Sequence, residues 1–343
     1  PSVARNRNLS TLMVEVLSRE LILLLQTLGE VAQETGCHAY AVGGFVRDLL
    51  LHVKNLDLDV VIEGDGLAYA KKLAKKLGGR VRTHEKFGTA VVKLPDGLKI
   101  DIATARLEYY EYPAAMPTVE LSSIKLDLYR RDFTINAMAI HLNPDTFGTL
   151  VDFFNCQNDL KDRQIRILHN LSFVEDPTRI FRAIRFEQRM GFKIGKHTEK
   201  LIKNAVKMEL FDRFFGQRFF NELTSILSEE NPLPAINRMA DLGLLKFLHP
   251  TLRIDPKLSM VLEETRQALA WHRLLYLDTP CRQWLVYLLA LMTGLTVREV
   301  TAFCERFEVP LRHRQFLVRE KLAVTRIAQI MKRAMPESPS GLY

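Results

Sequence analysis

The sequence predicts an α+β head, a mixed β-sheet with helices, followed by an all-α remainder. Three observations carry this. Strand-like apolar runs alternate with helical ones as far as residue 147, two of those runs flank a Pro-Asp-Gly turn with hairpin chemistry, and from Lys200 onward the pattern is almost wholly helical. A chain of 343 residues has room for about two or three domains with sizeable cores.

Taken in order, Thr11 to Thr35 carries Leu12, Val16, Leu17, Leu21, Leu24, Leu28 and Val31 at helical spacing, and Gly36 ends it. This predicts one N-terminal helix within residues 1–36, packed on the head. Ala39 to Val42 is an apolar strand that breaks at Gly43 and Gly44, a helix follows from Phe45 to Leu51, and Leu56 to Ile62 alternates as a second strand. Gly66 to Leu77 reads as a helix whose face of Lys71, Lys72, Lys75 and Lys76 is solvated, stopped by Gly78-Gly79. Ala90 to Leu94 and Leu98 to Ala103 are the strands flanking Pro95-Asp96-Gly97. Arg106 to Leu126, with Tyr109, Tyr110, Tyr112, Pro113 and Pro117, has no clean period and reads as a loop of functional length.

Composition narrows the class. Hydrophobic content of 47% and charged content of 26% describe a globular protein, and a net charge of +8 with pI near 9.3 favours a polyanionic partner without proving one. Cys37, Cys156, Cys281 and Cys304 are far apart and form no Cys-x-x-Cys pair, which suggests neither zinc nor a disulfide framework and fits a reducing cytoplasm. The longest apolar runs, Leu21 to Leu25 and Trp284 to Met292, fall short of the roughly 20 residues a membrane span requires. No small-residue cleavage site of a secretion signal follows the first of them.

Chemistry concentrates between Tyr40 and Ile62. A Gly-Gly turn lets main-chain N–H groups approach a ligand with no Cβ between, a helix N-terminus carries partial positive charge, and Arg47 adds a cation, so the turn suits a triphosphate. On an alternating strand Asp57 and Asp59 project from one face, where they repel unless a cation joins them. Mg²⁺ takes oxygen ligands and is commonly held by one or two carboxylates plus substrate phosphates. An isolated Asp-x-Asp is usually a solvated strand edge. Here its order after strand, Gly-Gly and Arg-Asp points instead to phosphoryl or nucleotidyl transfer.

Gly43-Gly44-Phe45-Val46-Arg47-Asp48 followed by Asp57-Leu58-Asp59 resembles the signature of the polymerase-β-type nucleotidyltransferases, specifically the class II bacterial tRNA nucleotidyltransferase and poly(A) polymerase group. A second segment, Asp127 to Ile140, resembles the family's Arg-Arg-Asp-x-x-x-Asn-Ala run, which implies that Arg131 and Asn136 contact triphosphate and ribose while Asp132 orients them. Standing alone, that segment would read as an amphipathic helix capped by Asp132. The resemblance also implies a third acid on a following strand, and Asp101, flanked by isoleucines, fits a general base for the attacking 3′-hydroxyl.

Glu175-Asp176-Pro177-Thr178-Arg179 predicts a helix start with Asp176 as N-cap and Pro177 at the first helical position. Arg179, Arg182, Arg185 and Arg189 share one face of it, and Ile180 and Ile184 lie opposite. Such a stripe is usually just solvated. The resemblance implies otherwise: Asp176 and Arg179 match the pair that reads the incoming base, and Arg182 and Arg185 join the nucleotide site. Asp accepts from an exocyclic amino group and Arg donates to a ring nitrogen or carbonyl, the edge chemistry that separates bases elsewhere. Phe211, Phe214, Phe215, Phe219 and Phe220 fit a buried helix face.

The expected organisation is a nucleotidyltransferase head at 37–147, a neck with the reading helix at 148–215, a helical body at 216–275 and a helical tail at 276–343. In the tail, Arg312, His313, Arg314, Arg319, Lys321, Arg326, Lys332 and Arg333 are candidates for RNA phosphates. The resemblance implies addition of C and A from CTP and ATP to the 3′ end of tRNA, with Mg²⁺ and no obligate protein partner. An A-adding enzyme, a poly(A) polymerase and a non-catalytic RNA-binding relative are the alternatives. A full-length loop at 106–126 argues against a C-only adder.

Overall fold

In the computed structural model, residues 7–109, 118–121, 123–209, 216–275 and 281–333 are described. They divide into two compact units, one of residues 1–175 and 192–198 and one of 176–191 and 199–343.

The first unit opens with two helices, α1 (Ser10–Val16) and α2 (Arg19–Glu34), where the apolar period predicted one. Leu17 turns extended and Ser18 caps α2, its hydroxyl accepting from the Leu21 N–H at 3.2 Å, so a local cap overrides the period. Gly29 lets α2 lie close to the sheet, since a Cβ there would sit 1.8 Å from the Leu142 carbonyl oxygen. Next come β1 (His38–Val42), α3 (Gly44–Leu50), β2 (Leu58–Glu63) and α4 (Gly66–Leu77). The lysine face of α4 is exposed, with Lys72 and Lys76 paired to Glu34 and Glu30 of α2. The strands β3 (Arg80–His84), β4 (Thr89–Lys93) and β5 (Lys99–Thr104) complete one flank. As predicted, β4 and β5 form a hairpin, in which Asp96 Oδ1 accepts from the Leu98 N–H at 2.9 Å.

The expectation of a loop over 106–126 is corrected. Its ends pair antiparallel as β6 (Arg106–Tyr109) and β7 (Thr118–Leu121), and α5 (Ile124–Tyr129) begins inside it. Arg-Leu-Glu-Tyr and Thr-Val-Glu-Leu do alternate, and the tyrosines and prolines between them, which lie outside the described residues, hid the period. The amphipathic helix considered for 127–140 does not form either. After α5 the backbone makes a single 3₁₀ turn at Thr134–Asn136 and enters β8 (Ala139–His141). Then follow β9 (Leu150–Val151), α6 (Cys156–Lys161), β10 (Gln164–Ile165) and α7 (Ser172–Glu175).

The main sheet has seven strands in the order β3-β4-β5-β2-β1-β8-β9, parallel only between β2 and β5. One row runs across most of it: Val91, Asp101, Asp59, Val42, Ala139 and Val151 are successive partners. The chain leaves β1 for Gly43 at the same end where it enters β2, β5 and β8 and leaves β9.

The second unit starts with α8 (Arg179–Met190). The chain then returns to the first unit for β11 (Lys193–Ile194), parallel to β10, and leaves it along α9 (Lys196–Lys207). The remainder is helical, as predicted: α10 (Gln217–Leu227), α11 (Leu233–Asp241), α12 (Leu245–Leu248), α13 (Pro256–Leu274), α14 (Gln283–Leu291), α15 (Val297–Arg306) and α16 (Leu311–Arg333). Phe219 and Phe220 are buried, Phe219 stacking on Phe307 at 4.7 Å, whereas Phe211, Phe214 and Phe215 lie outside the described residues. Among the described residues no helix is long and apolar enough to cross a membrane.

One tail residue needs correction. Lys321 is buried and donates to the Met292 and Thr293 carbonyls at 2.9 and 2.8 Å, closing the end of α14. Burial lowers its pKa, and nearby Glu299 opposes this. It is no phosphate ligand. Arg314 and Arg319 pair with Glu305 and Glu320, and the side chains of Lys332 and Arg333 lie outside the described residues.

Candidate active site

Gly43 adopts φ 71° and ψ −133°, a conformation that essentially only glycine holds without strain. A Cβ on Gly43 would lie 3.0 Å from Arg131 Nη1 and 3.8 Å from Asp59 Oδ2, and one on Gly44 would lie 3.4 Å from Arg47 Nη2. The two glycines thus keep open a cradle rimmed by two guanidinium groups and a carboxylate. Residues from both sequence motifs meet there.

Arg47 donates from Nε to Asp48 Oδ1 at 2.8 Å and from Nη1 to Asn136 Oδ1 at 2.7 Å. Asn136 in turn donates to Asp132 Oδ1 at 3.1 Å, an atom that also accepts from the Phe133 N–H at 2.8 Å. At the other end Asn55 donates to Asp48 Oδ2 at 2.7 Å while accepting from the Asp57 N–H at 2.8 Å. A single chain of hydrogen bonds therefore fixes Asn55, Asp48, Arg47, Asn136 and Asp132. Asp127, fully buried, receives Arg130 at 2.8 Å and Arg131 Nη2 at 3.4 Å. Asn55 and Asp127 escaped the sequence reading. Their signal was proximity alone: Asn55 stands seven residues after Asp48, and Asp127 three and four residues before Arg130 and Arg131.

Asp59 and Asp101 are direct partners in the parallel β2–β5 ladder and so share a face. Asp57, expected within the strand, instead lies one residue before β2. Burial raises the pKa of Asp59, Arg131 opposes that, and the charges of Asp101 and Asp57 add to it. Asp59 nevertheless opens to solvent on one side. Carboxylates that repel one another beside an open cradle suit a hard divalent cation, with phosphate and water oxygens completing its shell. No group of three His, Cys, Asp or Glu among the described residues would hold a metal unaided. Asp57 and Asp59 fit the two-carboxylate arrangement, which relies on substrate for its other ligands.

In the second unit the helix start is corrected: α8 begins at Arg179, and Asp176 opens a tighter turn before it. The Arg179 and Ile180 N–H groups bond back to Asp176 and Pro177 carbonyls at 3.1 and 3.0 Å, an i to i+3 pattern. Asp176 Oδ1 accepts from the Thr178 N–H at 3.1 Å, and its other oxygen pairs with Arg218. Asp176 and Arg179 are both buried, as is Ile180, and Ile184 packs inward as expected. The arginine stripe is not simply solvated. Arg182 lies 3.5 Å from Glu222 and Arg185 2.7 Å from Glu229. Burial raises the pKa of Glu222 against the pull of Arg182 and Arg185, and its Oε2 is buried without a hydrogen-bond partner. Arg218 and Glu222 were also missed as site residues, because only folding brings α10 beside α8.

A strand, glycine turn and helix beside parallel strands that bear Asp59 and Asp101, on a mixed sheet, are the features expected of the polymerase-β-type nucleotidyltransferases. Residues 39–166 match the poly(A) polymerase head domain, and residues 191–254 match the domain described as a probable RNA and SrmB-binding site of polymerase A. The chain is 51% identical over 329 residues to the A-adding tRNA nucleotidyltransferase of Geobacter sulfurreducens, covering 96% of this chain and 37% of that one. A solved CCA-adding enzyme in its apo form II superposes with TM-score 0.87 at 42% identity, covering 95% of this chain and 76% of that one. The Thermotoga maritima CCA-adding enzyme complexed with tRNA gives 0.81 at 39%, covering 96% and 76%. The chain belongs to the bacterial tRNA nucleotidyltransferase and poly(A) polymerase family. It spans little more than a third of the length of its Geobacter relative.

Proposed function

We propose that this chain carries out template-independent nucleotidyl transfer, adding C and A from CTP and ATP to the 3′ end of tRNA, in the cytoplasm. The terminal 3′-oxygen attacks the α-phosphorus, a new phosphodiester bond forms, the bond to the β-phosphate bridging oxygen breaks and pyrophosphate leaves. Asp101 takes the proton from the 3′-hydroxyl. The Gly43-Gly44 turn, Arg47, Arg131 and Asn136 hold the triphosphate and ribose, with Asp48 and Asp132 fixing the side chains that touch them. Asp176 and Arg179 read the base edge, with Arg182 and Arg185 beside them. Mg²⁺ bound by Asp57 and Asp59 would activate the 3′-hydroxyl and offset charge on the leaving pyrophosphate.

The observation that carries this reading is the ladder that sets Asp59 against Asp101 beside the Gly43 cradle, under Arg131. A tRNA transcript lacking its terminal triplet, given both nucleotides, should gain two C residues and one A and then stop. The second reading, addition of A alone, is favoured by the identity to an A-adding relative. It predicts extension only of tRNA already ending in CC. Long A tails on unrelated RNA would make the chain a poly(A) polymerase, and no incorporation into any RNA would sink the enzymatic reading.

A further inference from the structure

Four large apolar side chains sit on the first unit in an unusual place. Leu126 is 39% exposed, Tyr129 41%, Phe153 44% and Leu171 61%. Single exposed apolar residues are ordinary, but Tyr129 and Phe153 belong to a connected aromatic surface. The Tyr129 ring lies 5.7 Å from Phe154 and 5.1 Å from His169, Phe153 lies 6.1 Å from Phe154, and Lys125 Nζ is 5.7 Å from the Phe153 ring centre. His169 is also 3.3 Å from Glu175, which ties the segment leading to Leu171 into the cluster.

Two routes locate the surface relative to the carboxylates. Val151, at the end of β9, shares a row of the sheet with Ala139, Val42 and Asp59, so Phe153 and Phe154 follow at the end where Gly43 leaves β1. Three strand spacings separate β9 from β2, about 14 Å at ~4.8 Å each. Along the other route, α5 carries Lys125 and Tyr129 one turn apart and is capped by Arg130, and the next residue, Arg131, stands over Gly43.

We propose that Tyr129 and Phe153 form a stacking platform for the unpaired 3′ end of the RNA acceptor, on the approach to the carboxylates. The inference rests on the preceding reading that RNA is the acceptor. Aromatic faces accept any base, and a cation set against a ring suits bases strung on phosphates. About 14 Å corresponds to roughly four bases stacked at ~3.4 Å, a short single-stranded end. The occupant is a nucleic-acid strand rather than a protein because the surface lies at the sheet end where a reacting 3′ terminus must arrive, and because Lys125 complements a polyanion.

The test needs no catalysis. A hairpin RNA with a four-nucleotide 3′ overhang containing 2-aminopurine should be quenched on binding the full chain, with no nucleotide present. In the Tyr129→Ala/Phe153→Ala double variant the quench should be lost and Kd should rise about tenfold or more, while a blunt hairpin binds as before. Tyr129→Phe and Phe153→Tyr, which keep the rings, should retain both signals. Unchanged quench and affinity in the double variant overturn the proposal, as does an equal loss for the blunt hairpin. So does loss of self-association with intact RNA binding, which would assign the surface to a second copy of the chain. If the unmodified chain binds the overhang but transfers no nucleotide, the preceding reading fails while the platform stands.

Discussion

Replacing Gly43 with alanine tests the cradle through backbone and charge at once. The residue sits at φ 71° and ψ −133°, and forcing a Cβ into such a region costs about 1–3 kcal/mol of stability. The added carbon would lie 3.0 Å from Arg131 Nη1, inside the ~3.5–4.0 Å separation of comfortable contact, so the guanidinium must retreat by about half an ångström or more. Arg131 cannot retreat freely, because Asp127 holds its other amino nitrogen at 3.4 Å. A charge-assisted hydrogen bond to phosphate contributes about 1.5–3 kcal/mol, so its loss should raise KM for ATP and CTP about 10- to 150-fold. Thermal unfolding and steady-state KM measure the two effects separately. If the clash acts through Arg131, Gly43→Ala and Arg131→Ala combined should raise KM by much less than the product of their single effects. Independent, multiplying effects, or a Gly43→Ala protein with unchanged KM and unchanged melting, would refute the reasoning.

Asp59→Asn should abolish nucleotide addition with RNA affinity nearly unchanged, and near-normal turnover in magnesium would remove Asp59 from the site. The same variant has a stability signature in metal-free protein. Burial raises the pKa of Asp59 in the fold, so the folded state holds a proton that the unfolded chain has lost, and Asp59 costs stability increasingly as pH rises above the ordinary carboxylate value. Denaturant unfolding should therefore show Asp59→Asn gaining on the parent between about pH 4 and pH 7, and a constant gap across that range would contradict the burial argument. Asp176→Ala should blur discrimination among the four nucleotides; an even loss of rate for all of them would leave Asp176 with only its contacts to Thr178 and Arg218.

The parts of the fold legible in the sequence are those specified within about a dozen neighbouring residues. The solvated lysine helix runs from Gly66 to Leu77 as expected, and the β4–β5 hairpin follows from Pro95-Asp96-Gly97. The break at Ser18 carried a visible cap but lost to a strong apolar period on both sides. The site divides the same way. Asp59, Arg47, Arg131 and Asn136 stand in motifs that announce them. Arg218 and Glu222 take their meaning from partners that only folding supplies, since they meet Asp176 and Arg182 from a helix about forty residues on, whereas Asn55 and Asp127 bond partners within seven residues that the motifs themselves did not mark. Lys321 looked like one cation among many until burial set it apart.

The parallel pairing of Asp59 with Asp101 makes the site sensitive to parity. Between these two carboxylates the chain travels through α4, β3 and β4, and only the count of residues along β2 and β5 decides which face each acid occupies. Adding or deleting one residue inside either strand would turn its acid to the opposite face and separate the pair, although hydrogen bonding in the ladder could survive the slip. The turn at Pro95-Asp96-Gly97, by contrast, can absorb a length change without altering that count. Length variation compatible with a working site should therefore gather at turns such as this one and be absent from β2 and β5.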